Sequence, residues 1–82
     1  MSEKALRKRV HQLDVTVWVG KSGIEPVTEE LTDQLQDRPL VKVKFLRSAR
    51  GGTTTDELAS NLADAATAEV IETRGNTATF RR

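Results

Sequence analysis

With 82 residues the chain has room for one hydrophobic core, so residues 1–82 are read as a single domain. It has no cysteine, which removes disulfides, thiolate chemistry and Cys-ligated zinc, and its single histidine cannot complete a Ser/His/Asp or Cys/His set. The net charge of +1 says little about partners; no apolar run reaches membrane-spanning length and no apolar leader opens the chain, so a cytoplasmic protein without membrane contact is expected.

Residues 3–13 are expected to form an amphipathic helix with Ser2 as N-cap. Leu6, Val10 and Leu13 fall on its apolar stripe. Lys4, Arg7, Lys8 and His11 fall on the opposite one, a face without a carboxylate and suited to phosphate. Residues 15–19 alternate Val15, Val17 and Val19 with Thr16 and Trp18, the period of a half-buried strand. Trp18 has two readings: packing beneath the first helix, which is favoured because that helix needs an apolar seat, or stacking a base on an uncovered sheet face.

The strand breaks into Gly20-Lys21-Ser22-Gly23. Two glycines let backbone approach a ligand closely. The helix start that follows offers N–H groups to an anion, and Lys21 adds a mobile cation. The plain alternative is a tight connection, with Ser22 and Glu25 at the spacing of a capping box. A P-loop is excluded because Val15 stands where its first glycine belongs, and a dinucleotide fingerprint fails because Pro26 replaces its third.

Residues 24–37 form the next helix, with Ile24, Val27, Leu31 and Leu35 inward and Glu25, Glu29, Glu30, Asp33 and Asp37 around the polar side. Pro26 fits its first turn and Pro39 ends it. Residues 40–47 form a strand with Val41, Val43 and Phe45 on one face and Lys42 and Lys44 on the other. A flexible basic loop follows, carrying Arg47 and Arg50. Thr54 and Glu57 make a capping box opening a helix over about 55–67, with Leu58, Leu62, Ala65 and Ala66 buried. Residues 69–73 and 77–81 close the chain as a hairpin around Arg74-Gly75-Asn76.

The order α-β-α-β-α-β-β is an α/β architecture. It predicts a four-stranded mixed sheet with two central helices on one face and the basic N-terminal helix in addition. Charge alternates with these elements. Residues 24–37 carry five acids and no base, residues 38–50 five bases and no acid, and residues 51–72 five acids and no base. The folded domain is therefore expected to present a basic face and an acidic face. Three aromatic residues, Trp18, Phe45 and Phe80, are too few for a base-stacking sheet of several rings, which favours backbone recognition by cations.

The V-x-V-x-V-G-K-S-G-I strand and loop, the L-V-K-V-K-F strand and the closing G-N-T-A-T-F-R-R hairpin, in this order behind a basic helix, resemble the CRM domain. That name stands for chloroplast RNA splicing and ribosome maturation, and the likeness is greatest to its stand-alone YhbY-like form. The resemblance runs from about Lys4 to Arg82. It implies a fold like the C-terminal domain of translation initiation factor 3. It also implies a non-enzymatic RNA-binding protein without cofactor or small-molecule substrate, whose partner is a ribosomal RNA precursor or pre-ribosomal particle. Gly20, Lys21, Ser22 and Gly23 take the role of the family's loop. Lys4, Arg7 and Lys8 of the first helix and the sheet-side cations Lys42, Lys44, Arg47 and Arg50 take the flanking contacts. Arg81 stands where an aromatic often closes the last strand. The competing reading is a protein-interaction adaptor whose acidic helices bind a basic partner such as a ribosomal protein. A nucleotide-binding enzyme has only Gly20-Lys21-Ser22 in its favour.

Overall fold

A computed structural model describes residues 3–82, except for the side chains of Glu3, Leu6 and Arg7. The expected cap at Ser2 and the side-chain roles given to Leu6 and Arg7 lie outside the described residues. The elements are α1 (Glu3–Gln12), β1 (Val15–Val19), α2 (Glu25–Asp37), β2 (Val41–Phe45), a 3-10 turn (Arg47–Ala49), α3 (Thr55–Ala66), β3 (Glu69–Arg74) and β4 (Thr77–Arg81). This is the expected order. The sheet runs β1-β2-β4-β3, with β1 and β2 parallel and the other two pairings antiparallel.

One sheet face holds the core. Val17, Val19, Val41, Val43, Phe45, Ala78 and Phe80 point from it into Leu31 and Leu35 of α2 and Leu58 and Leu62 of α3. The buried side of α3 is Leu58, Ala59, Leu62, Ala63 and Ala66, whereas Ala65 is exposed, one position off the expected stripe. Ala66 continues the row of Leu58 and Leu62 at one-turn spacing, and Ala59 and Ala63 make a second buried row beside it.

Two expected caps have opposite outcomes. Thr54 Oγ accepts the Glu57 N–H at 3.1 Å and opens α3. Ser22 does not cap α2. That helix starts one residue later, with Ile24 at the N-cap and no side-chain cap bond. The turn places Gly23 at φ 78° between Ser22 and the helix, and this left-handed residue carries the chain into α2 without a polar cap. A Thr54→Ala substitution is expected to lower stability by about 1 kcal/mol. Urea unfolding would register it as a lower midpoint with an unchanged slope, and an unmoved midpoint would contradict the cap.

The far sheet face differs from the core face. Strand alternation puts Thr79, between Ala78 and Phe80, on this far side. Glu72 pairs with Thr79 in register, and His11 of α1 lies 3.2 Å from the Glu72 carboxylate. The last turn of α1 therefore sits over the far face. Val10 (3% exposed) and Thr79 (1% exposed) are buried accordingly.

Candidate nucleic-acid interface

Because β1 and β2 are parallel neighbours, their following loops emerge at the same sheet edge. Leu46 N–H donates to Val19 O at 2.8 Å and stitches the two exits together. A Cβ added at Gly20 would lie 3.8 Å from both Leu46 Cδ1 and Ser48 Oγ, so the Gly20–Gly23 turn rests against the Arg47–Ala49 turn. The hairpin closes the same edge: Phe45 N–H donates to Asn76 O at 2.8 Å. Three loops, distant in sequence, meet there.

The Gly20–Gly23 segment is a hydrogen-bonded turn, with Gly23 N–H donating to Gly20 O at 3.0 Å. Lys21 and Ser22 at its tip are exposed. Val27 N–H is bonded to Ile24 O, and Pro26 has none to give. The backbone N–H groups of Lys21, Ser22 and Ile24 have no backbone acceptor among the described residues. The turn thus offers a short run of donors beside the Lys21 ammonium, a concavity suited to an anion. Helix dipole adds little, since Glu25 occupies the first turn of α2 and Asp56 and Glu57 that of α3.

The expected basic loop begins with a 3-10 turn at Arg47–Ala49, and Arg50 donates from Nε to Phe45 O at 3.1 Å, an anchor the sequence did not suggest. Arg50 is half-buried by that anchor, and Arg47 is exposed.

Below the loops, the last cross-strand row of the far face reads Trp18–Lys44–Thr77–Arg74 across all four strands, each pair in register. Trp18 is 53% exposed and Leu46 37%. Trp18 is thus left more than half exposed, against the expectation that it is covered by packing beneath the first helix. Among the described residues, His11 of α1 reaches this face at Glu72, one row below and on the strand at the opposite side of the sheet.

Of the residues singled out from sequence, the fold gathers Gly20, Lys21, Ser22, Gly23, Lys44, Arg47 and Arg50 at one edge. Lys42 lies on the same face one row lower, about 7 Å along the strand. Lys4 and Lys8 are exposed on α1, whose last turn reaches the far face at Glu72, in the row of Lys42. Arg74 was not among the expected site residues. Its strand alternation with Glu72 places it on the far face, but only the pairing with Thr77 reveals that it shares the row of Lys44. The acidic residues Glu29, Glu30, Asp33 and Asp37 of α2 and Asp56, Glu57 and Asp64 of α3 are exposed on the helices that cover the other face. These carboxylates lie on the face opposite the loop-edge cations, while Glu72 stands on the far face in the row of Lys42.

The chain is similar to known proteins over nearly its whole length. The family model of the CRS1 / YhbY (CRM) domain matches residues 2–82. A Methanocaldococcus jannaschii protein named "Probable RNA-binding protein MJ0652" is 40% identical over 80 residues, covering 98% of this chain. The chain spans 60% of that relative's length. The solution structure of the Staphylococcus aureus hypothetical protein SAV1595, presented as a candidate RNA-binding protein, superimposes with a TM-score of 0.77 at 29% identity, covering 96% of this chain and 81% of that one.

Proposed function

The chain belongs to the CRS1 / YhbY (CRM) domain family, and from this premise we propose that it is a non-enzymatic RNA-binding domain that grips the phosphate backbone of structured RNA. The observation that carries this reading is the meeting of three loops at one sheet edge. Lys21, Arg47 and Arg74 are exposed there around a glycine-flanked turn with open N–H groups. Backbone phosphates are the ligand for which clustered cations and unpaired amides are both complementary. The names of the archaeal and staphylococcal relatives point the same way. The Gly20–Gly23 turn clamps one backbone segment, Lys44 and Arg74 hold the strand on the sheet face, and Lys4 and Lys8 extend the footprint along α1. The RNA class proposed is ribosomal, a large-subunit precursor or assembling particle in the cytoplasm, on the strength of the family likeness.

Salt dependence tests the electrostatic part. If about 5–7 phosphates are engaged, log K against log salt is expected to fall with a slope of roughly −3.5 to −6. Fluorescence anisotropy with a labelled ribosomal RNA hairpin over a series of KCl concentrations measures it. A flat response would remove the cation footprint.

The exposed carboxylates of α2 and α3 support a second reading, a docking face for a basic protein. It predicts association that survives ribonuclease and is abolished by reversing Glu29, Glu30 and Asp33 to lysine. The two faces are separate, so that variant is expected to leave RNA affinity intact or raised.

A further inference from the structure

Resting on the RNA-binding reading, we propose that Trp18 is a stacking platform for one unpaired nucleobase, so that this face takes a loop or bulge rather than a continuous duplex. Trp18 and Leu46 are the large hydrophobic side chains left exposed among the described residues. They are neighbours. Trp18 pairs with Lys44, Leu46 follows Lys44 at the two-residue period on the same face, and Leu46 N–H is bonded to Val19 O. The pair lies on β1 and at the exit of β2, and β1 is an outer strand of the sheet. A planar ligand has open access from the side.

The surroundings select the occupant. Lys44 and Arg74 share the row of Trp18, and Lys21 and Arg47 stand on the adjoining loops. A second copy of the chain would press this ring of cations against an identical one. The apolar area on offer is also small. A tryptophan presents about 250 Å² at most, so a half-exposed ring and its leucine fall far short of the roughly 800 Å² per partner of a stable interface. A nucleotide satisfies both halves of the patch. Its base covers the indole, as any base can, and its phosphates meet the cations around it. Bases inside an A-form helix are stacked on each other and shielded, so the base that reaches Trp18 is one splayed from a loop or bulge.

The chain has one tryptophan, so its intrinsic fluorescence reports on this position alone. The probes are an RNA hairpin with a purine-rich loop, the same hairpin with abasic sites in the loop, and a blunt RNA duplex. The loop hairpin is expected to quench the emission saturably and the abasic hairpin to bind without comparable quenching. Trp18→Ala is expected to weaken loop-hairpin binding about ten-fold or more and duplex binding less than about two-fold, with Trp18→Phe recovering most of the loss. If the wild type binds the loop hairpin and Trp18→Ala binds it equally well, the platform is refuted while the backbone grip stands. If the wild type binds none of the RNAs, the underlying reading falls as well. A wild type that dimerises in sedimentation where Trp18→Ala stays monomeric would assign the ring to a second copy and overturn the proposal.

Discussion

A Gly20→Asp/Gly23→Asp double variant is expected to lose at least about thirty-fold in RNA affinity while remaining folded. In the proposed complex each new carboxylate would lie near the phosphate that the turn is proposed to hold. At a separation of about 5 Å, one like-charge pair opposes binding by roughly 1–3 kcal/mol over the range of dielectric found at protein surfaces. Two such pairs exceed what Lys21 alone returns. The fold tolerates the change for separate reasons at the two sites. At Gly20 a Cβ makes ordinary contact at 3.8 Å with Leu46 and Ser48. At Gly23 the space is open but φ is 78°, and aspartate in that left-handed region costs roughly 1–2 kcal/mol. A domain of this length has about 4–12 kcal/mol to draw on. Circular dichroism should therefore match the wild type while anisotropy titrations fail to saturate. The Gly20→Ala/Gly23→Ala pair separates charge from close approach, since it adds the Cβ atoms without the carboxylates. Wild-type affinity in the folded aspartate variant would show that the turn does not touch RNA.

Phe45→Ala is expected to bring the domain close to unfolding. Phe45 is fully buried at the end of β2, a central strand of the sheet, beneath the three-loop edge. Removing a buried phenylalanine costs about 3–5 kcal/mol, from the lost transfer energy and the cavity left behind. Against a total of about 4–12 kcal/mol this is a large part of the stability. For a domain of this size the melting temperature should drop by more than about 12 °C. Position matters as well as volume. The Phe45 backbone accepts from Arg50 Nε and donates to Asn76, so β2 end, 3-10 turn and hairpin share one anchor. Loosening that anchor is expected to reduce RNA affinity even at temperatures where the variant is folded. Phe45→Leu, which keeps most of the volume, should lose far less. Calorimetric melting of both variants decides the matter, and equal melting temperatures would show that the pocket collapses around the smaller side chain.

The adaptor reading and the RNA-binding reading do not compete for surface. The loops and the Trp18–Lys44–Thr77–Arg74 row of the far face carry cations, and the exposed sides of α2 and α3 carry carboxylates. In the proposed complex the anionic side would repel nucleic acid and so would favour one orientation of the domain on it.

Much of this molecule follows from local pattern. The alternation of valines in β1 and β2, the 3.6-residue spacing of Leu31 and Leu35 and of Leu58 and Leu62, and the Thr54 cap are properties of short windows. Each element appears within one or two residues of its expected bounds, and the α-β-α-β-α-β-β order determines which faces bury. The glycine-flanked turn was legible in the same way, because a positive φ at Gly23 is a demand made by the chain itself.

The candidate site was legible only as a scatter of cations. Nothing in the sequence separates Lys44 and Arg74, thirty residues apart, from Lys4 and Lys8, which local reasoning ranks equally with Lys44. Cross-strand register makes the distinction. The β2–β4–β3 pairing sets Arg74 in the row of Lys44, while His11 of α1 reaches the sheet one row lower, at Glu72. Trp18 makes the same point in reverse. Its parity showed which face it takes, but its exposure depends on where α1 lands, and a helix reaches its landing place through long-range contacts that no window of sequence contains. Composition and periodicity determined what the pieces are. Tertiary structure alone decided which charged and aromatic side chains became neighbours, because register and docking are settled by burial of the shared core and not by the residues exposed at the surface.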